Sequence, residues 1–280
     1  MTPLVVNGST RLLGVVGDPI VQVRAPGVWT ALFQRNGVNC VCLPCHVEAA
    51  QLATFFNGLR TIRNVQGLIV TIPHKPAVLA LLDDISERAG QVAAVNVVRF
   101  DRDGRAYGDI LDGEGLVSGL RAGGQRITGR RALVVGSGGV GSAIAFAIAH
   151  AGVREVAVWD IDEGRAASLA QRLLDAGYRA RVHPADPGGF DLIINATPVG
   201  MRAGDPLPFQ CEPLESNAIV ADVVIQTGLT PLLRAAQERG CYVQAGRIMS
   251  DHQVAQMAEF FGLGMGDWSP QAIAAITGER

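Results

Sequence analysis

The stretch Arg131–Asp162, RALVVGSGGVGSAIAFAIAHAGVREVAVWDID, constrains the fold more than any other. A β-branched apolar run, Ala132 to Val135, meets Gly136-Ser137-Gly138-Gly139-Val140-Gly141. An Ala/Ile-rich helical stretch follows, and a second apolar run ends at Asp160. Strand, glycine turn, helix and strand in about 30 residues describe a βαβ unit. Gly136 lets the chain turn sharply, and Gly138 removes a side chain that would keep backbone N–H groups off a pyrophosphate. Gly141 lets the helix pack close to the strand. The helix N-terminus adds unpaired N–H donors and a partial positive charge. A bare GxGxxG is weak evidence, but a preceding strand, a following helix and an acid at the next strand end give it the context of a dinucleotide site. The alternative is a glycine turn of some other α/β protein. Asp160 can accept hydrogen bonds from a free ribose 2′-OH and repels a 2′-phosphate, so the cofactor expected is NAD.

With 280 residues, 48% of them apolar and 5% aromatic, the chain can bury a large core and is expected to form two domains. The formal net charge of −2, with no basic run, argues against a nucleic-acid partner. The first residues, MTPLVVNGSTRLLG, have no charged or long apolar secretory region. The run Val140 to Val153 is interrupted by His150 and is too short to span a bilayer, so no membrane association is expected. Five cysteines without an export signal suggest reduced thiols in the cytoplasm. Cys40, Cys42, Cys45 and His46 lack a second ligand pair at finger-like spacing, so no metal is expected. Cys40 and Cys42 read as core positions on one face of a strand.

Taken in order, Leu12–Gly17 reads as a strand broken by Asp18-Pro19, and Ala25-Pro26 opens a helix stopped by Gly37. Val38–Leu43 is a second strand, Glu48–Leu59 a helix, and Gly67–Ile72 a third strand leading into Pro73-His74-Lys75. This order predicts a parallel α/β layer ahead of the glycine turn. Two short helical pieces and a hairpin, Ala94–Phe100 with Arg105–Asp109, come next, and Asp112-Gly113 opens a helix toward the turn. Beyond Asp160 the pattern predicts a helix over Glu163–Ala176 and strands at Arg179–His183, Phe190–Asn195 and Ile219–Val224. A loop over Pro198–Pro213, a helix over Thr230–Arg239 and a last strand at Cys241–Gln244 complete that part. Arg247–Phe261 and Pro270–Ile276 read as helices returning to the first domain. The divisions drawn are 1–112 for a substrate domain, 113–246 for a Rossmann domain and 247–280 for the C-terminal helices.

Eight landmarks appear in one order: GDPI, VTIPHK ending at Lys75, AVN ending at Asn96, GDxxDG around Asp112, the glycine turn, NATPVGM from Asn195, DVVxxxxxTPLL from Asp222, and a late Gln253. In this the chain resembles the shikimate/quinate dehydrogenase family over nearly its whole length. The resemblance implies a small α/β substrate domain joined to a Rossmann domain, and hydride transfer between nicotinamide and a ring carbon bearing a hydroxyl or ketone. Lys75 and Asp112 match the family's paired catalytic residues. A partly desolvated lysine can give or take the proton that accompanies hydride transfer, while a carboxylate orients it and stabilises its charged form. Thr71, Asn96 and Gln253 match positions that bind ring hydroxyls. Asn195, Thr197, Val223, Gly246 and Met249 join the glycine turn and Asp160 as expected cofactor contacts. The plainer alternatives are a surface ion pair for Lys75 and Asp112, and a strand threonine, a turn amide and a polar helix face for the other three.

The departures from the pattern in the substrate pocket fall on one side, and the cofactor end departs as well. Where shikimate-using members carry Ser-x-Ser, this chain has Val23-Arg24-Ala25, and a family tyrosine is replaced by Ile225. Ile69 and Ile110-Leu111 stand where the family has Asn and Asn-Thr. The residues that read hydroxyls are kept and those that read a carboxylate are apolar. Burying a carboxylate there without donors would cost at least about 2 kcal/mol. The expected substrate is therefore a small cyclic hydroxylated molecule whose far end is uncharged, with shikimate or quinate as weak substrates. Arg24 is the alternative, since it could pair with a carboxylate bidentately. NADP-using relatives carry Asn-Arg-Thr where this chain has Asp160-Ile161-Asp162, which again predicts NAD. A non-catalytic NAD-binding module and a methylenetetrahydrofolate dehydrogenase-like enzyme remain as competing readings. Monomer and homodimer are both open.

Overall fold

A computed structural model describes residues 5–226 and 228–278. The chain forms two compact units, Met1–Leu111 with Val254–Arg280, and Asp112–Gln253. The divisions thus fall at 111/112 and 253/254, where the sequence reading drew them at 112/113 and 246/247.

The first unit holds strands β1 (Arg11–Gly17), β2 (Cys40–His46), β3 (Val65–Val70), β4 (Asp84–Ile85), β5 (Val97–Phe100) and β6 (Ala106–Asp109) in the order β2-β1-β3-β5-β6-β4. β1, β2 and β3 are parallel, and β5 runs antiparallel to both β3 and β6. Its helices are α1 (Ala25–Arg35), α2 (Leu52–Leu59) and α3 (Glu87–Val92), with α9 (Val254–Phe260) and α10 (Pro270–Thr277) returning from the C-terminus. The return is fixed by aromatic packing: Trp29 lies 6.1 Å from Phe261 and 5.9 Å from Trp268, ring centre to ring centre. Cys40 and Cys42 lie in the same core, and burial pushes the Cys40 thiol up to about 11.

β2 lies later in the chain than its apolar pattern indicated. Its pairing with β1 runs from Arg11 opposite Cys40 to Gly17 opposite His46 and passes through Pro44. A proline is tolerated there because β2 is the edge strand and its outer N–H positions need no partner.

The second unit is an all-parallel six-stranded sheet, β7 (Arg131–Val135), β8 (Glu155–Trp159), β9 (Ala180–Val182), β10 (Leu192–Asn195), β11 (Ile219–Asp222) and β12 (Tyr242–Gln244). The order β12-β11-β10-β7-β8-β9 is the doubly wound one, reversing between β10 and β7. Helices α4 (Asp112–Ala122), α5 (Gly139–His150), α6 (Glu163–Asp175), α7 (Pro231–Glu238) and α8 (Gly246–His252) accompany it. The single helix expected over Arg247–Phe261 is broken at Gln253, the C-cap of α8. Among the described residues no helix is long and apolar enough to cross a membrane, and no group of three or more His, Cys, Asp or Glu side chains is placed to hold a metal ion.

Candidate active site

In open parallel sheets ligands sit beyond the carboxyl ends of the strands, where the order reverses. The glycine turn occupies that place in the second unit. It leaves β7 beside β10, with the Ala196 N–H bonded to the Val135 carbonyl at 2.7 Å. A Cβ on Gly141 would stand 1.9 Å from the Gly136 carbonyl oxygen, so only glycine allows α5 to start this close to the turn. A Cβ on Gly138 would meet no protein atom within 4 Å. Packing inside the protein therefore does not explain that glycine, whereas a ligand lying against the turn would.

The first turn of α5 is also left without a side-chain cap, while Asp162 and Thr230 cap α6 and α7. Its N–H groups suit an anion. Ser137 Oγ is buried with no hydrogen-bond partner among the described residues. Asp160, just past β8, accepts from Ser137 N–H at 2.6 Å and from Asp162 N–H at 2.9 Å, so one carboxylate braces both the turn and the approach to α6. Arg165, 67% exposed, pairs with Asp162 at 3.3 Å. These features fit a nicotinamide dinucleotide lying against the turn.

Further along the same edge, Asn195 is fully buried and all four of its side-chain hydrogen bonds go to protein. Its Nδ2 donates to Val199 O at 3.1 Å and to Asp222 Oδ1 at 2.9 Å, and its Oδ1 accepts from Thr197 N–H and the Thr197 hydroxyl. Its part is to shape the turn that presents Thr197. Asp222, paired with it in register, also accepts from Val224 N–H at 3.1 Å and the Thr230 hydroxyl at 2.7 Å. Burial pushes the Asp222 carboxyl above its ordinary value, outweighing those hydrogen bonds. Val223 follows directly, and Gly246 sits so close to it that a Cβ would lie 2.5 Å from the Val223 oxygen. Met249 is buried in α8.

α4 and α8 bring two further residues together. Asp112 is buried in the first turn of α4, and Gln253 ends α8. A Cβ on Gly115 would fall 2.4 Å from Met249 O and 3.0 Å from the Gln253 Cβ. Glycine at 115 thus lets Gln253 lie one helical turn from Asp112.

In the first unit Thr71, Lys75 and Asn96 gather at the end of β3. Thr71 N–H bonds to Val16 O at 2.9 Å, and Lys75 O accepts from Val95 N–H at 2.9 Å. Asn96 O accepts from Val70 N–H at 2.8 Å. His74, 1% exposed, pins this turn to the chain after β2 through Nε2 and Val47 O at 2.7 Å, so Nε2 carries the hydrogen. Lys75 itself is 7% exposed. One signal in the sequence goes unused by the motif reading: Lys75 is the only lysine among 280 residues, and every other member of the 24 lysines and arginines is arginine. Guanidinium does not release its proton in proteins, so Lys75 is the one member of that set able to give one up.

Four of the departures from the family pattern share one cluster and a fifth lies apart. Ile69 and Leu111 belong to the first unit's apolar core, and Val23 and Ala25 pack against it. Ile225, in the second unit, is 44% exposed.

Residues 15–98 match the shikimate dehydrogenase substrate binding domain. The chain is 39% identical over 254 residues to the shikimate dehydrogenase (NADP(+)) of Rubrobacter xylanophilus, covering 89% of each. It is 34% identical over 267 residues to the quinate/shikimate dehydrogenase (NAD(+)) of Corynebacterium efficiens, covering 91% of this chain and 94% of that one. The Aquifex aeolicus shikimate dehydrogenase structure matches with a TM-score of 0.88 at 27% identity, over 99% of this chain and 100% of that one. The ligand-free 5-ketofructose reductase of a Gluconobacter strain matches with a TM-score of 0.83 at 27% identity, over 95% and 99%.

Proposed function

Because the chain belongs to the shikimate dehydrogenase family, we propose that this dehydrogenase of CH–OH groups uses NAD and acts on a hydroxylated ring or similar polyol whose far end is uncharged. When bound, the nicotinamide supplies the hydride acceptor or donor. Lys75 exchanges the proton at the reacting oxygen and Asp112 stabilises its charged form, while Thr71, Asn96 and Gln253 take the substrate hydroxyls. The glycine turn, Asp160, Thr197, Val223, Gly246 and Met249 hold the dinucleotide. The preference for NAD rests on Asp160, whose carboxylate suits a free ribose 2′-OH, and on Ile161, which stands where NADP-using relatives carry arginine.

The uncharged end rests on one observation: Val23, Ala25, Ile69 and Leu111 all pack in or against a single apolar cluster. A desolvated carboxylate beside such a surface would lack donors. A reductase of 5-ketofructose, an uncharged sugar, shares the fold, so the fold is compatible with a neutral polyol. The test is a panel of shikimate, quinate and carboxylate-free polyols or ketoses with NAD and NADP, followed at the absorbance of the reduced nicotinamide. The neutral compounds should give the higher kcat/KM. Turnover of shikimate at a micromolar KM, abolished by Arg24→Ala, would show instead that Arg24 reads a carboxylate.

A further inference from the structure

Asp109 closes β6 three residues before Asp112, and its side chain is 7% exposed. Four donors converge on its carboxylate. Arg88 grips it as a fork, Nε to Oδ1 at 2.7 Å and Nη2 to Oδ2 at 2.5 Å. The Ser86 hydroxyl donates to Oδ1, as does the Ile110 N–H at 2.8 Å. Ser86 in turn caps α3, accepting from Ala89 N–H at 3.1 Å. Arg88 and Ser86 therefore tie the end of β6 to the start of α3, through a bidentate ion pair whose acidic half is buried.

That anchor reaches Asn96 from two sides. The Asn96 N–H donates to the Asp109 carbonyl at 2.9 Å. The Asn96 Oδ1 accepts from Leu111 N–H at 2.9 Å, two residues beyond Asp109. The amide is planar, so fixing Oδ1 on Leu111 also fixes the direction of its Nδ2 donors. Moving residues 109–111 would therefore re-aim Asn96 without touching it.

We propose that Asp109, held by Arg88 and Ser86, is a positioning residue for Asn96, and that hydroxyl recognition depends on this clamp. The proposal rests on the reading of Asn96 as a substrate contact. The substitutions that test it are Arg88→Gln and Arg88→Lys, at a half-exposed position that leaves the core intact, with Asp109→Asn as the second site. In Arg88→Gln the KM for the polyol should rise about tenfold, the loss of one neutral hydrogen bond to the substrate, while the Kd for NAD stays within twofold. Arg88→Lys keeps the charge but loses the fork and should fall between the two. A lower Tm with an unchanged polyol KM would mean that the clamp is only structural and would overturn the proposal. Amide hydrogen exchange at Leu111 is independent of any substrate. It should quicken at least tenfold in Arg88→Gln relative to Leu133 in the second unit, and unchanged exchange would overturn the clamp even if no polyol is turned over. Absence of turnover in the wild type, with quickened exchange in the variant, would instead fault the substrate reading and leave the clamp standing.

Discussion

The two units build their candidate contacts from different parts of the peptide. In the second unit the candidate pyrophosphate contacts are backbone, a glycine turn and an uncapped helix start, with the Asp160 side chain bracing the turn. In the first the contacts are the side chains of Thr71, Lys75 and Asn96, set at the end of one strand. A backbone site depends on side chains that are missing, and almost any replacement of a glycine such as Gly141 meets a neighbour. A side-chain site can be re-aimed by a few substitutions that leave the fold alone. Within the first unit the departures Val23, Ala25, Ile69 and Leu111 pack in or against one apolar cluster, whereas the second unit keeps its glycines and departs at Asp160-Ile161-Asp162 and Ile225.

The strongest way to break the comparison is Lys75→Arg, which keeps the charge but replaces an amine that can release a proton with a guanidinium that cannot. The expected loss in kcat is about 10³-fold, within the range for a general acid or base, with the Kd for NAD within twofold in a fluorescence titration. Retained turnover would mean that the first unit's side chains do not carry the chemistry. Next in size, Asp160→Ser combined with Ile161→Arg replaces the carboxylate with a cation and should shift the ratio of Kd values toward NADP by about 10- to 100-fold, the scale of one charge-assisted contact. A wild type that already binds NADP more tightly would remove the basis for assigning NAD from Asp160.

The smallest effect concerns Asp222. Its carboxyl is raised by burial above 3.8, the ordinary value, so it binds its proton more strongly in the folded chain. The stability this provides is complete below the unfolded value and is lost as pH rises through the folded one. Relative to Asp222→Asn, the wild type should therefore lose stability in thermal or urea unfolding as pH rises from acid to neutral. A difference that grows toward low pH, in the opposite sense, would show the carboxylate to be stabilised by its donors.

The second unit was almost fully legible because its central strands β7, β10 and β11 are short apolar runs almost wholly buried, and each helix between strands has its own stop. The first unit was less so. β4 has two residues and no pattern to detect. The break between α8 and α9 at Gln253 is set by where the chain passes from one unit to the other, and apolar spacing continues across it. In the site, the residue types were readable but their attachments were not. Nothing local marks Arg88 as the partner of Asp109, twenty-one residues away, or shows that Asn195 turns its whole amide inward. Such pairings arise from strand order, which the motifs do not encode.

The lone lysine also gives the molecule a built-in reporter. Grown on isotope-labelled lysine, the protein would carry label at one side chain only, and its Nζ signal would need no assignment. The protonation of that amine could then be followed directly as cofactor and each candidate substrate are added, so the group proposed to move the proton is also the one a spectrometer can isolate.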